Sequence, residues 1–314
     1  MLRNSGIIPI VQVIRARKMG FCFGVRRAFE KVQQLAAQDD ARPLYLAGEL
    51  VHNTKVIDRV GQLGVQVVEA VDTIRDSRAV IRTHGTTREN FDALMAANDD
   101  VHDATCVIVK DAREAALDLL TRHPVVVVIG KKKHPEIVGL VSWLDGRYHV
   151  VEEEADLAGL PDYPSVGVVA QTTFYPHVFQ SFCDALRRRY PEVEIKDTIC
   201  PHTAKNQETS IYTAQIVDVM LVVGDAHSSN SRTLHAEVKA VNPRSYFISD
   251  AGDIDPAWFA SLDPAQKGEP TLELREKGNA APDYNPARLA VGITAGASTP
   301  DWVIDEIEQR LNSL

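Results

Sequence analysis

Three of the four cysteines share a setting that packing alone does not explain. Cys22, Cys106 and Cys200 each end a short stretch that opens into a helical pattern, and two of them close the related tetrapeptides DATC (103–106) and DTIC (197–200). Thirty residues beyond each stands a polar group in a matching place: His52, Glu136 and Asn230. Three thiolates in one place suit zinc or an iron–sulfur cluster, and spacing does not separate the two. A cubane cluster on three cysteines leaves one iron without a protein ligand, open as a Lewis acid and redox centre. Cys183 differs: it lies in FQSFCDALRRR with Phe179, Phe182 and Leu186 at helical spacing, and reads as a small core residue. With no C-x-x-C pair, zinc-ribbon and thioredoxin-like readings are weakened.

A second set of residues suits an anion. His52, His84 and His134, with Ser228, Ser229, Asn230 and Ser298, supply imidazole, hydroxyl and amide donors for phosphate oxygens without a P-loop lysine. The histidines could instead be additional metal ligands. Glu136 is out of character in such a cradle. It either repels a phosphate or handles protons at the other end of the ligand, and the second is the sharper reading. Thr172 could relay that proton or orient the ligand, with Thr173 beside it. His227 abuts the SSN cluster, and Arg26-Arg27 follow Cys22, where they could tune a cluster or meet an acidic partner.

These residues need elements to position them, and the chain repeats its pattern three times. Amphipathic helices are expected at VRRAFEKVQQLAA, VIVKDAREAALDLL and TAKNQETSIYTAQI. Strands PLYLAG, PVVVVIG and VMLVVG follow, ending in Gly48, Gly130 and Gly224. Second strands are AVIRTHGTT, VGVVAQTT and LAVGITAGAST, which again end in polar groups. Strands alternating with helices imply βαβ units and parallel sheets, whose ligands bind beyond the strands' carboxyl ends. Helix N-termini gather there and favour anions. Asn53, Ser231 and Thr299 read as N-caps, and Pro135 and Pro300 as first helical residues.

The expected architecture is α/β: three pseudo-symmetric lobes with mostly parallel sheets that aim their thiolates at one central site. The first spans 1–102 with Cys22, His52 and His84; the second spans 103–195 with Cys106, His134, Glu136 and Thr172. The third spans 196–314 with Cys200, Ser228–Asn230 and Ser298, and carries a Pro-, Gly- and charge-rich surface loop near 263–288. The stretch IIPIVQVI reads as a first strand with a ragged lead-in and not as a signal peptide, since Pro9 and Gln12 interrupt it and it lacks a small-residue cleavage site.

Composition sets the outer bounds. The 314 residues are 45% hydrophobic and 25% charged, as in ordinary globular proteins. A net charge of −9 argues against a general nucleic-acid or anionic-membrane surface. The longest aliphatic run, Val125 to Ile129, is too short to span a bilayer, and the default compartment is the cytoplasm.

The ordered set GFCFGV, GELVHN, THG, DATC, GKKKHPE, AQTT, DTIC, SSNS and GITAGAS, from about residue 11 to the C-terminus, resembles the 4-hydroxy-3-methylbut-2-enyl diphosphate reductases (the IspH or LytB family). The resemblance implies a cytoplasmic enzyme closing the methylerythritol phosphate pathway of isoprene biosynthesis, with three lobes around a central iron–sulfur site. It implies one [4Fe–4S] cluster per chain on Cys22, Cys106 and Cys200, and an allylic diphosphate held by the histidine, serine and asparagine set. It further implies Glu136 and Thr172 on the proton-handling side, and ferredoxin or flavodoxin as electron donor. The implied products are isopentenyl and dimethylallyl diphosphate. The chain departs from the family's common pattern at Thr54 and Val107, where proline is usual, and at Pro201-His202-Thr203, where an Asn-Ala-Thr-like run is usual. Phe23 replaces an alanine common in one branch.

Overall fold

The structure is a computed structural model that describes residues 10–260, 262, 277, 285 and 287–314. The expected loop near 263–288 and the lead-in at 1–9 fall outside the described residues, save for Lys277, Asn285 and 287–288. The chain starts with β1 (Val11–Arg15), Cys22 and α1 (Phe23–Ala36). It continues through β2 (Leu44–Ala47), α2 (Thr54–Gln62), β3 (Gln66–Val68), β4 (Arg78–Ile81), α3 (Arg88–Ala97) and β5 (Asp100–Asp103). Past Cys106 come α4 (Val107–Leu119), β6 (Val126–Ile129), α5 (Pro135–Val141), β7 (Tyr148–Val151), α6 (Glu154–Ala158), β8 (Ser165–Ala170), α7 (Pro176–Arg189) and β9 (Glu192–Ile195). Past Cys200 come α8 (Pro201–Ile216), β10 (Val219–Val223), α9 (Ser229–Val241), β11 (Ser245–Ile248), β12 (Leu289–Ala295) and α10 (Asp301–Asn312).

Three four-stranded sheets result, all parallel, in one repeated order: β3-β2-β4-β5, β7-β6-β8-β9 and β11-β10-β12-β1. The strands expected from the sequence are the two central ones of each sheet and the N-terminal β1. The central strands are almost wholly buried, as VVVI, SVGVVA, VMLVV and LAVGITA illustrate, because a parallel sheet is covered on both faces. The outer strands QVV, DVHD, YHVV and EVEI are mostly half-buried and carry mixed residues, which hid them in the sequence. The N-terminal strand β1 pairs with β12 and so completes the sheet of the third repeat. Each of the three cysteines follows an edge strand and precedes the helix that carries the chain to the next sheet.

The chain divides into two compact units: Met1–Cys22, His52–Val56 and Lys205–Leu314, and Phe23–Val51 with Ile57–Ala204. In the second unit, Val125, Val127, Ile129, Val166 and Val168 pack on one sheet face with Phe179, Phe182, Cys183 and Leu186 of α7. Val126, Val128 and Val169 face the other way, onto Ala112, Ala116 and Leu119 of α4 and Ile137 and Leu140 of α5. That alternation is the two-residue period of a strand. Cys183 is 1% exposed, and burial pushes its thiol up to about 11, as suits an inert core residue.

In the first unit, Val219, Leu221, Val223, Val291 and Ile293 pack on Val303, Ile304, Ile307 and Leu311 of α10. Met220, Val222 and Ala290 pack on the opposite face, toward Leu234 and Val238 of α9. The α8 pattern departs from expectation. This helix is not simply amphipathic: Asn206, Gln207, Thr209, Ser210 and Thr213 are all buried. Asn206, Ser210 and Thr213 find partners locally, whereas Gln207 Nε2 is buried without one among the described residues. Asn206 Nδ2 donates to the Ala295 carbonyl at 3.0 Å, Ser210 Oγ meets Thr294 Oγ1 at 2.6 Å, and Thr213 Oγ1 donates to the Thr209 carbonyl at 2.8 Å. Among the described residues no helix is long and apolar enough to cross a membrane.

The approach of α4 to β8 depends on Gly167, where a Cβ would lie 2.7 Å from Leu119 Cβ. Gly167→Ala should therefore lower unfolding stability by about 1–3 kcal/mol, the range for an overpacked core. Urea denaturation monitored by circular dichroism checks it.

Candidate functional site

In the first unit the polar residues collect at the carboxyl ends of β10 and β12. Ser228 caps α9: its Oγ accepts from Ser231 N at 3.2 Å and from Ser231 Oγ at 3.0 Å. Ser298 Oγ donates to the same oxygen at 3.3 Å. The cap is thus Ser228 and not Ser231, which is fully buried beneath it. Gly224 and Gly296 make that burial possible, since a Cβ on them would lie 2.4 Å from Ser231 Cβ and 2.0 Å from Ser231 Oγ respectively. Ser229 and Asn230 are the first residues of α9, half-buried, where backbone N–H groups lack intrahelical partners. At α10 the cap position is Pro300, and Thr299 Oγ1 instead donates to the Val223 carbonyl at 3.1 Å. Asn53 is a cap as expected, with its Oδ1 accepting from Val56 N at 3.3 Å, and it holds the turn that carries His52. Cys22 is half-buried immediately before α1, its N–H donating to the Ala297 carbonyl at 3.4 Å.

In the second unit the groups form a continuous set. Cys106 N donates to the Thr83 carbonyl at 3.0 Å, which fixes the cysteine beside the strand end bearing His84. The His84 and His134 rings meet edge to face, with centroids 5.4 Å apart. His134 caps α5 by accepting the Glu136 N–H at Nδ1, 3.2 Å away, with Pro135 in the first helical position. A neutral imidazole that accepts at Nδ1 carries its proton on Nε2, which leaves Nε2 as the donor of His134. Thr172 N and Oγ1 donate to the two oxygens of the Glu136 carboxylate at 2.6 and 2.8 Å. The Thr172 carbonyl then accepts from Cys200 N at 2.8 Å. Thr173 Oγ1 accepts from Gln171 Nε2 at 3.0 Å, and Gln171 Oε1 accepts from Lys131 N at 3.0 Å. Gln171 is a buried support that the sequence reading passed over, although the AQTT motif contains it.

Electrostatics distinguish these groups. Glu136 is 1% exposed, and burial raises its carboxyl to about 7 against the opposing effect of the two Thr172 donors. Burial also raises the Cys106 thiol. The N–H groups of Ile108 and Val109, in the first turn of α4, act in the other direction, while negative charge on Cys200 and Glu136 raises it further. Cys200 and Glu136 therefore lie close enough to Cys106 to oppose its ionisation. Two thiolates beside a carboxylate are a donor set that a metal centre would relieve, so these residues fit a thiolate-bound metal group. A groove of ≈ 800 Å³ lined by Phe23, Arg27, Lys31, Val107 and Lys110 opens onto Cys106.

Known proteins carry the same pattern over the whole length. The family described as LytB protein matches residues 13–312. A 4-hydroxy-3-methylbut-2-enyl diphosphate reductase of Geobacter metallireducens is 33% identical over 305 residues, covering 97% of this chain and 98% of that relative. A protein of the same name from Trichlorobacter lovleyi is 34% identical over 304 residues, covering 97% and 99%. A solved (E)-4-hydroxy-3-methyl-but-2-enyl diphosphate reductase, called the terminal enzyme of the non-mevalonate pathway, superposes with a TM-score of 0.69 at 32% identity, covering 97% of this chain and 100% of that one. The Plasmodium falciparum E-1-hydroxy-2-methyl-but-2-enyl-4-diphosphate reductase shares the fold, with a TM-score of 0.78 at 22% identity over 98% of this chain and 88% of that one. With its motifs in order, its three parallel sheets and a match that runs nearly end to end, the chain belongs to the LytB protein family.

Proposed function

We propose that the protein is a 4-hydroxy-3-methylbut-2-enyl diphosphate reductase, an oxidoreductase of the methylerythritol phosphate pathway acting in the cytoplasm. The net reaction replaces the allylic hydroxyl by hydrogen: two electrons and two protons enter, the C–O bond breaks, and water leaves. Cys22, Cys106 and Cys200, one from each repeat (1–102, 103–195 and 196–314), would hold a [4Fe–4S] cluster. When bound, that cluster supplies single electrons and an open iron that polarises the hydroxyl. A ferredoxin or flavodoxin would deliver the electrons.

The observation that carries this reading is Glu136. A carboxyl raised to about 7 is half protonated at neutral pH, which suits a proton donor. Both of its oxygens are fixed by Thr172, whose backbone is in turn tied to Cys200. Glu136 would thus protonate the departing hydroxyl, and Thr172 would orient the acid and pass the proton on. His52, His84, His134, Thr173, Ser228, Ser229, Asn230 and Ser298 would bind and orient the diphosphate through N–H and O–H donors. Delivery of the second proton to one or the other end of the allylic system gives isopentenyl or dimethylallyl diphosphate.

Anaerobic purification with iron and sulfide analysis, then an assay with the allylic diphosphate and a reduced viologen, tests the proposal. A colourless zinc protein without turnover would overturn it. Glu136→Gln should keep iron content and lower kcat by about 100-fold or more, the usual contribution of a general acid. Cys106→Ser should lose iron and sulfide, whereas Cys183→Ser should retain both.

The carboxyl also predicts a pH dependence of stability in metal-free protein. Its folded value of about 7 lies above the ordinary 4.5, so the folded state holds this proton more tightly. Its stabilisation is complete below pH 4.5 and lost as pH rises through 7, a contribution of roughly 3 kcal/mol. Urea unfolding at pH 5 and pH 8 should show that difference shrinking in Glu136→Gln.

A further inference from the structure

Asp225 follows Gly224 at the end of β10, and a carboxylate there runs against the proposed anion cradle. It is 9% exposed, and its acceptors are taken up by the protein itself. Oδ2 accepts from both Thr54 N, at 2.8 Å, and Thr54 Oγ1, at 2.6 Å. Oδ1 accepts from His227 N at 2.8 Å, and the Asp225 carbonyl accepts from Ser228 N at 2.9 Å. Burial opposes its ionisation, yet the Thr54 and His227 donors outweigh burial and hold the carboxyl below its usual range.

Thr54 is the first residue of α2, so its N–H is one of the donors a helix start leaves unpaired. Asp225 thus serves as an N-terminal acceptor for α2 from 171 residues away, and its negative charge meets the positive end of that helix. A second tether lies alongside, where Lys55 Nζ meets Asp250 Oδ2 at 2.8 Å. A proline at 54 would have neither an N–H nor a hydroxyl and would leave Asp225 without both Thr54 donors.

The two ends of this contact each lead to a group assigned to the diphosphate. His52 lies two residues before Thr54, and Ser228 three residues after Asp225. We infer that Thr54 and Asp225 form a positioning clamp that fixes the His52 turn against the Ser228 turn, and so sets the affinity of this half of the site for a diphosphate. Neither residue touches the ligand. The inference rests on the diphosphate reading above. It adds that the cradle's geometry is held by a hydrogen-bonded carboxylate that itself lies outside the ligand's contacts.

Inorganic pyrophosphate binding to the full chain, followed by calorimetry, tests the clamp together with steady-state kinetics on the loaded enzyme. Thr54 keeps an exposed flank, so replacing it probes the hydrogen bonds more than the packing. Thr54→Val keeps the N–H and loses the hydroxyl. It should weaken pyrophosphate binding and raise KM by about tenfold, with kcat within about twofold, as expected for loss of a hydrogen bond to a charged group. Thr54→Ser should restore both to within about twofold of the original protein. Adding Asp225→Asn to Thr54→Val should weaken binding less than the two single effects predict together, because they report one interaction. If Thr54→Val lowers the melting temperature while pyrophosphate affinity and KM stay unchanged, the clamp is purely structural and the inference is overturned. If the unmodified chain fails to bind pyrophosphate, the diphosphate reading itself falls, and the clamp with it.

Discussion

Parallel pairing is the constraint from which the arrangement of this protein follows. A parallel strand reaches its neighbour only by a crossover, so every strand in a sheet delivers its carboxyl end to the same edge. Helices that start at that edge bring unpaired N–H groups with them. In each of the three sheets this edge holds residues of the candidate site: Ser228 and Ser298 beyond β10 and β12, His84 beyond β4, and His134, Glu136 and Thr172 beyond β6 and β8. The cysteines occupy a different but equally repeated place, the passage from an edge strand to the helix that begins the next sheet. One topology used three times thus supplies three thiols in matching local settings.

The same constraint explains where polar groups are buried and what they cost. A carboxyl deep in the second unit is tolerated because Thr172 gives a donor to each oxygen and because Glu136 can keep its proton near neutral pH. In the first unit, α8 presents hydroxyl and amide side chains where an apolar face would be ordinary, and each named bond is closed within the unit. Such networks lose stability sharply when one member is removed, but they hold neighbouring strand ends in one position. Ser231, squeezed between Gly224 and Gly296, shows how tightly the loop bearing Ser228 is fixed. Rigid strand ends suit a site that must orient a small charged ligand.

Much of this was legible in the sequence. Continuous apolar runs revealed the two central strands of each sheet, because residues covered on both faces must all be apolar. Outer strands such as DVHD and EVEI lack such a run: the first has two charged residues to one apolar, and the second has two of each. Helix starts are legible to within about three residues. Ser228, not Ser231, is the cap at α9, since two serines of identical type stand one turn apart and only burial separates them. Asp225 and Gln171 give no signal of their own, because Thr54 and Lys131, the partners that define their roles, become neighbours only after folding.

By itself, then, the sequence determined the threefold repeat, the parallel α/β class, the three cysteines outside the core and the ordered motifs of the family. These depend on residue type and local period, which are properties of the linear chain. The tertiary structure alone decided that β1 completes the third repeat's sheet, that burial raises the Glu136 carboxyl to about 7, and that Asp225 holds Thr54. Each of these depends on burial or on a contact between distant segments, and neither exists until the strands have paired.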